Sequence, residues 1–239
     1  MSAIQLHSAP PVGVMASRKV PLLATVACVG KGGSGKSTVA TNLAVMARLS
    51  GRRSAIIDAD PQASSSAWKN VRAGGDVPVV RCGVEALADA IEAARRAGIE
   101  ILFVDMPPDW RHVPDVARLA DLVLVMMRPT LFDLRVTKIL VPILKSAESS
   151  FAVILNATPP LRELGEPPMV RQAREALADI GRRLWRRQIT NRVTVPYATL
   201  RGAAVVETEP EGPAAHEFRS LWNAVRNDLK LEGLAYEAA

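Results

Sequence analysis

Residues 30–37 read Gly-Lys-Gly-Gly-Ser-Gly-Lys-Ser, a set of residue types suited to holding phosphate. Gly30, Gly35, Lys36 and Ser37 fit the spacing G-x-x-x-x-G-K-[ST]. Glycines in such a loop let successive backbone N–H groups turn inward on a phosphate chain, and a helix N-terminus behind them adds partial positive charge. Gly32, Gly33, Ser34, Gly35, Lys36, Ser37 and Thr38 are therefore the candidate phosphate binders. Lys36 is placed to reach the β- and γ-phosphates and the Ser37 hydroxyl to sit on Mg²⁺. A glycine-rich turn with no ligand is the competing reading, and the surroundings argue against it. The apolar run Leu22 to Val29 precedes the loop, and Val39, Leu43, Ala44, Met46, Ala47 and Leu49 follow it at helical spacing, with Gly51 as the stop.

Carboxylates supply the second half of the chemistry. Ser54 to Gln62 is an apolar run that ends Asp58-Ala59-Asp60-Pro61-Gln62, and Ile101 to Val104 ends in Asp105. A carboxylate at the C-terminal end of a strand, beside bound phosphates, can hold Mg²⁺-bound water or orient an attacking water. Taken singly, each aspartate also reads as a strand-end cap.

These residues need a scaffold that brings several strand ends together. From residue 20 onward, apolar strand-like runs alternate with helical patterns, as in a single doubly wound α/β sheet, mostly parallel, with helices on both faces. Strands are expected near 21–29, 53–58, 77–81, 99–105, 121–127, 150–155 and 185–190. Helices are expected near 36–50, 64–73, 84–97, 131–147, 168–181 and 213–230. Ligands in such folds lie at the C-terminal strand ends, where every motif above falls. Residues 1–19 are rich in Ser, Ala and Pro without periodicity and read as a flexible leader, with one domain over 20–239.

The loop with its extra lysine, Lys31-Gly32-Gly33-Ser34-Gly35-Lys36-Ser37, resembles the deviant Walker A box of the ParA/MinD family of ATPases. Asp58 to Gln62 is similar to that family's D-x-D-P-Q segment, and Ile101 to Asp105 followed by Pro107-Pro108 is similar to its Walker B. The resemblance implies ATP and Mg²⁺ as cofactors and a P-loop NTPase fold. It also implies a nucleotide-sandwich homodimer in which Lys31 reaches the partner subunit's phosphates. By the same resemblance Asp60 positions the attacking water, Asp58 lies near the metal, and Asp105 supports Mg²⁺ together with Ser37. Asn156, after Val153-Ile154-Leu155, stands where relatives contact adenine, although a strand-end Asn is also a common turn former. The family usually has threonine at the position of Met106, so one hydroxyl is absent here. No arginine finger is evident, and slow turnover is the expectation.

Charge is concentrated. Residues 171–201 hold eight arginines against Glu175 and Asp179, a local excess of six that equals the chain's whole net charge of +6. Clustered arginine is the electrostatic footprint of a phosphate-backbone binder, and it is also what a solvated basic face looks like. ParA-type members of that family bind chromosomal DNA without sequence preference through a basic C-terminal surface. The resemblance therefore favours DNA contacts by Arg182, Arg183, Arg186, Arg187, Arg192 and Arg201. Trp185, among them, reads as a core residue before it reads as a base-stacking platform. Nucleoid association in the cytoplasm and a ParB-like adaptor follow from the same resemblance, with a plasmid as the expected cargo. A carboxysome, a chemoreceptor cluster or transfer DNA remain alternative cargoes. A MinD-like membrane cycle is a further alternative, disfavoured by the acidic stretch Leu231 to Ala239.

Composition excludes several other classes. At 239 residues and 49% hydrophobic content the chain can bury a large core. No apolar run approaches the length that spans a bilayer. Arg18-Lys19 followed by Val20 to Val29 imitates a secretion signal, but cleavage there would remove the strand before the phosphate loop. Two cysteines, Cys28 and Cys82, and three scattered histidines offer neither a disulfide framework nor a metal cluster.

Overall fold

A computed structural model describes residues 23–161 and 165–231. The expected leader at 1–19 and nearly all of the acidic stretch after 231 lie outside the described residues. Six strands form: β1 (Ala24–Gly30), β2 (Ser54–Asp58), β3 (Val79–Arg81), β4 (Ile101–Asp105), β5 (Leu122–Met127) and β6 (Phe151–Leu155). They make one sheet in the order β3-β2-β4-β1-β5-β6, and every pairing in it is parallel. Parallel neighbours need crossovers. These are supplied by α1 (Lys36–Leu49), α2 (Ser64–Val71), α3 (Leu87–Arg96), α4 (Val113–Leu119) and α5 (Leu131–Ser146). After β6 come α6 (Pro168–Glu175), α7 (Thr194–Leu200), α8 (Val205–Thr208) and α9 (Pro213–Asp228).

The central strands read as unbroken apolar runs because both faces of the sheet are covered. On one face Val26, Cys28 and Phe103 pack against Val39, Leu43 and Met46 of α1 and against Phe218 and Trp222 of α9. On the other, Ala27, Val29 and Val104 pack with Val116, Leu140 and Val170 from α4, α5 and α6. Met106 belongs to this second core and is 1% exposed, so the residue standing where the family has threonine fills the interior.

The last quarter of the chain closes back on the first third. Trp68 Nε1 donates to the Ala203 carbonyl at 3.2 Å, and the Val205 N–H donates to Asn42 Oδ1 at 2.9 Å. Arg72, its side chain only 6% exposed, binds Asp76, Glu207 and the Gly202 carbonyl. Gly202 has φ of 64°, and a Cβ there would collide with the Arg72 backbone. Only glycine permits that approach.

Two expectations need correcting. Residues 185–190 do not form a seventh strand. Parallel bridges pair Val153 with Leu184 and Thr158 with Thr190, so the outer segment carries one residue more than β6 and its neighbour do. It bulges, and Arg186 and Arg187 sit on the bulge. The helix expected over 168–181 ends at Glu175 and gives way to a 3-10 turn, Ala178–Arg183, with Gly181 at φ 57°, ψ −128°. Helices α4, α7 and α8 are too short to show a periodicity in the sequence.

Candidate nucleotide site

Strand order decides the site. β2, β4 and β1 are neighbours, and register places Asp58 opposite Asp105 and Asp105 opposite Cys28, two residues before Gly30. The loop leaving β1 turns on Gly30, Gly33 and Gly35, with φ of 139°, 76° and 94°. Close approach requires two of these glycines: a Cβ on Gly30 would strike the Met126 carbonyl, and one on Gly35 would strike the Asn156 amide nitrogen. α1 begins at Lys36, directly after left-handed Gly35. Its first-turn N–H groups have no intrahelical acceptors and face the loop's concavity.

Lys36 is 5% exposed, and among the described residues its Nζ has only the Lys31 carbonyl, at 3.5 Å, as a bonding partner. Burial lowers its pKa, against the pull of Asp105, Asp60 and Cys28. A buried ammonium with one long hydrogen bond is a cation waiting for an anion.

The carboxylates are similarly incomplete. Asp58 Oδ2 accepts from the Ser66 N–H at 2.8 Å and the Ser66 hydroxyl at 2.6 Å, and Asp105 Oδ2 accepts from the Ser65 hydroxyl at 2.8 Å. Their Oδ1 atoms, and the Ser34 hydroxyl, are buried without a partner. Burial pushes the Asp105 pKa up to about 6, against the neighbouring Ser37 and Ser65 hydroxyls; Asp58 adds to the rise and Lys36 opposes it. Two open carboxylate oxygens beside a serine hydroxyl form an all-oxygen donor set. That suits Mg²⁺, which takes few protein ligands and keeps phosphate oxygens and waters. Among the described residues no group of three His, Cys, Asp or Glu gathers as a self-sufficient metal site.

Asp60 lies just beyond β2, 8% exposed, its Oδ1 accepting from the Gln62 N–H at 2.9 Å. With Gly32, Gly35, Lys36 and Ser37 it lines an open cavity of about 460 Å³. A second, more apolar cavity of about 500 Å³ shares Thr38, Ser64, Trp68 and Thr199 with the first and continues it between α2 and α7. The loop, Lys36, Ser37, Thr38 and Asp60 thus meet around one space, with Asp58 and Asp105 beneath it.

Two further residues stand against the phosphate loop. The Asn156 Nδ2 donates to the Ser34 carbonyl at 2.6 Å, and the residue is 6% exposed. It holds the phosphate loop from below and is not among the cavity's lining residues. Arg128 is the residue that sequence reasoning missed. Its guanidinium stands 3.7 Å from where a Cβ of Gly33 would be.

The arginine-rich stretch is only partly free. Arg174 binds Glu166, the Trp185 and Arg187 carbonyls and Gln188. Arg192 pairs with Glu217 at 3.2 Å, Arg183 stacks on Phe151, and Arg201 stacks on Tyr197. Arg182 lies near Asp228, whose pKa rises through burial and is held down by that arginine. Arg186 and Arg187 are exposed, the latter donating to the Ser220 hydroxyl at 2.8 Å. Trp185 is half-buried against the α9-side core, which is the packing reading.

Comparison with known proteins agrees with this geometry. No curated protein sequence is significantly similar to the chain. Solved structures share its fold at low identity. The ATP complex of Cyanothece McdA is 15% identical, with 90% of this chain and 99% of that one covered and a TM-score of 0.68. The septum site-determining protein MinD of Pyrococcus horikoshii, complexed with Mg-ADP, is 20% identical over 85% and 96%, with a TM-score of 0.67. A ParA family ATPase from Chlorobium tepidum is 16% identical over 86% and 99%, with a TM-score of 0.64. The family model described as the CobQ/CobB/MinD/ParA nucleotide binding domain matches residues 25–212. The chain therefore belongs to the CobQ/CobB/MinD/ParA nucleotide-binding domain family.

Proposed function

We propose that this chain is a ParA-type ATPase that positions a cargo by cycling between an ATP-bound homodimer on DNA and a released monomer. ATP and Mg²⁺ are its cofactors, and the ParA/MinD members of its family are ATPases. In the cycle, backbone N–H groups of Gly32 to Thr38 and the Lys36 ammonium bind and orient the triphosphate. The open oxygens of Asp58 and Asp105, with the Ser37 hydroxyl, would hold Mg²⁺, which would supply charge neutralisation at the phosphates. Asp60 orients the attacking water from the cavity wall.

The observation that carries the dimer is Lys31. It sits at the tip of the phosphate loop, its carbonyl already bound by Ser34 N and Lys36 Nζ, and its ammonium makes no ion pair among the described residues. DNA binding rests on the exposed Arg186 and Arg187, and a nucleoid-associated place in the cytoplasm goes with it. A ParB-like adaptor would stimulate hydrolysis and so release the DNA. Plasmid partition is the reading we favour for the cargo. Among the described residues no helix is long and apolar enough to cross a membrane.

Gel filtration with light scattering, in ATP and Mg²⁺, tests the cycle. The wild-type chain should dimerise, Lys31→Ala should bind nucleotide yet stay monomeric, and Asp60→Ala should accumulate as a stable dimer on DNA. A normal dimer from Lys31→Ala would overturn the cross-subunit role.

A further inference from the structure

Beside the phosphate loop stands a second cation that is not among the residues lining the nucleotide cavity. Arg128 follows β5 and lies across Gly33, with Nη1, Cζ and Nη2 at 3.7, 4.0 and 4.0 Å from the position a Cβ would take. The guanidinium is fixed in place. Nε and Nη2 donate to Asp133 at 3.1 Å each, and the Arg128 N–H donates to the same carboxylate at 3.0 Å. Asp133 is 1% exposed and also accepts from the Thr130 hydroxyl, which in turn caps α5. Such a clamp uses one edge of the guanidinium and leaves Nη1, for which no acceptor is found among the described residues. The side chain remains 35% exposed.

The placement decides which phosphate it can serve. The chain's own triphosphate would lie in the cavity that Lys36 lines, and Arg128 is not among the residues lining that cavity. Gly33 lines that cavity and also lies against the Arg128 guanidinium. Arg128 is partly exposed beside the loop, and Leu131 and Phe132 at the start of α5 are exposed as well. A two-fold symmetric pair formed over this surface would bring two copies of Lys31 and two of Arg128 together. Four cations in one interface repel unless anions lie between them, and the two bound nucleotides are anions of the right charge.

We propose that Arg128 is a second trans-acting cation, whose Nη1 binds the phosphates of the nucleotide held by the partner copy. This rests on the dimer proposed above. Asp133 is the positioning residue, and its rigid hold presets the guanidinium for a charge-assisted bond without loss of side-chain freedom on docking.

Three proteins test it: wild type, Arg128→Lys, and the double variant Arg128→Gln/Asp133→Asn, which strands no buried charge. Sedimentation velocity with a non-hydrolysable ATP analogue and Mg²⁺ gives the dimer dissociation constant. Binding of a fluorescent ATP analogue at low protein concentration gives the affinity of the monomer. Both variants should bind nucleotide as monomers within about twofold of wild type and dimerise about tenfold or more weakly. Lysine should fail because a point charge cannot hold Asp133 and present a further N–H in a fixed direction. A double variant that dimerises like wild type overturns the role of Arg128 while leaving the dimer intact. Weakened monomer binding would mean that Arg128 serves its own nucleotide, which also overturns it. A wild-type chain that stays monomeric would remove the dimer and the proposal together.

Discussion

The phosphate-loop end of the sheet and the arginine-rich stretch are both rich in charge, but they spend it in opposite ways. Around the loop, charges are buried and left incomplete: Lys36 with one long bond, Asp58 and Asp105 each with an unpartnered Oδ1. In residues 171–201 most arginines find partners within the protein, in Glu166, Glu217, carbonyl groups and aromatic faces, although Arg183 Nη1 and Arg192 Nε are buried without one. Unfinished bonding in a buried group is expensive and so marks a place where something binds. A count of exposed arginines carries no such cost. The first region commits the fold to a ligand, and the second contributes a narrower surface than its composition suggests.

The contrast is broken most decisively at Lys36. Lys36→Ala should reduce nucleotide affinity on the order of 100-fold, because the lost bond is charge-assisted and the triphosphate loses its only buried cation. Isothermal titration calorimetry with ATP and Mg²⁺ measures this directly. An affinity close to wild type would show that the buried lysine is structural.

Asp105 sharpens the comparison through stability. With burial raising its pKa from 3.8 to about 6, the folded chain holds this proton more tightly than the unfolded chain does. Its contribution to stability is therefore greatest below pH 4, falls as pH rises from 4 to 6, and is flat above. Asp105→Asn should stabilise the nucleotide-free protein at pH 8 by up to about 3 kcal/mol, a rise in Tm of several degrees, and change little at pH 4. The same substitution should impair Mg²⁺-dependent nucleotide binding. Thermal melts at both pH values decide it, and a destabilised variant at pH 8 would contradict the cost assigned to the open carboxylate.

The smallest effect belongs to the arginine stretch. Arg186→Ala/Arg187→Ala should flatten the slope of log affinity against log salt for any duplex by about 1–3 units in the dimer, at roughly 0.9 per phosphate contact. Arg192→Ala/Arg201→Ala, which removes arginines held by Glu217 and Tyr197, should change the slope less. Nucleotide affinity should survive in both. Equal slopes for the two pairs would mean that the internal partners do not sequester charge.

The loop and its carboxylates were legible because chemistry at a strand end follows from local order: apolar run, turn, acid or glycine. Residues 185–190 misled because a one-residue bulge leaves composition untouched while abolishing the ladder. Asn156 and Arg128 were opaque for a different reason. The bond from Asn156 to Ser34 spans 122 residues, and the approach of Arg128 to Gly33 depends on β5 lying beside β1. Neither can be read without the strand order.

The closure of residues 202–207 onto Asn42, Trp68 and Arg72 has a consequence for how the protein is made. The bonding partners lie 130 to 163 positions apart. At translation rates of about 5–20 residues per second, the second partner emerges roughly 7–30 s after the first. During that interval the nascent chain carries its complete phosphate loop but lacks one wall of the adjoining cavity. Trp68 and Arg72 stand uncovered on the growing polypeptide. Maturation of the nucleotide site is thus coupled to synthesis of the final quarter, and a stalled ribosome would hold a chain unable to complete it.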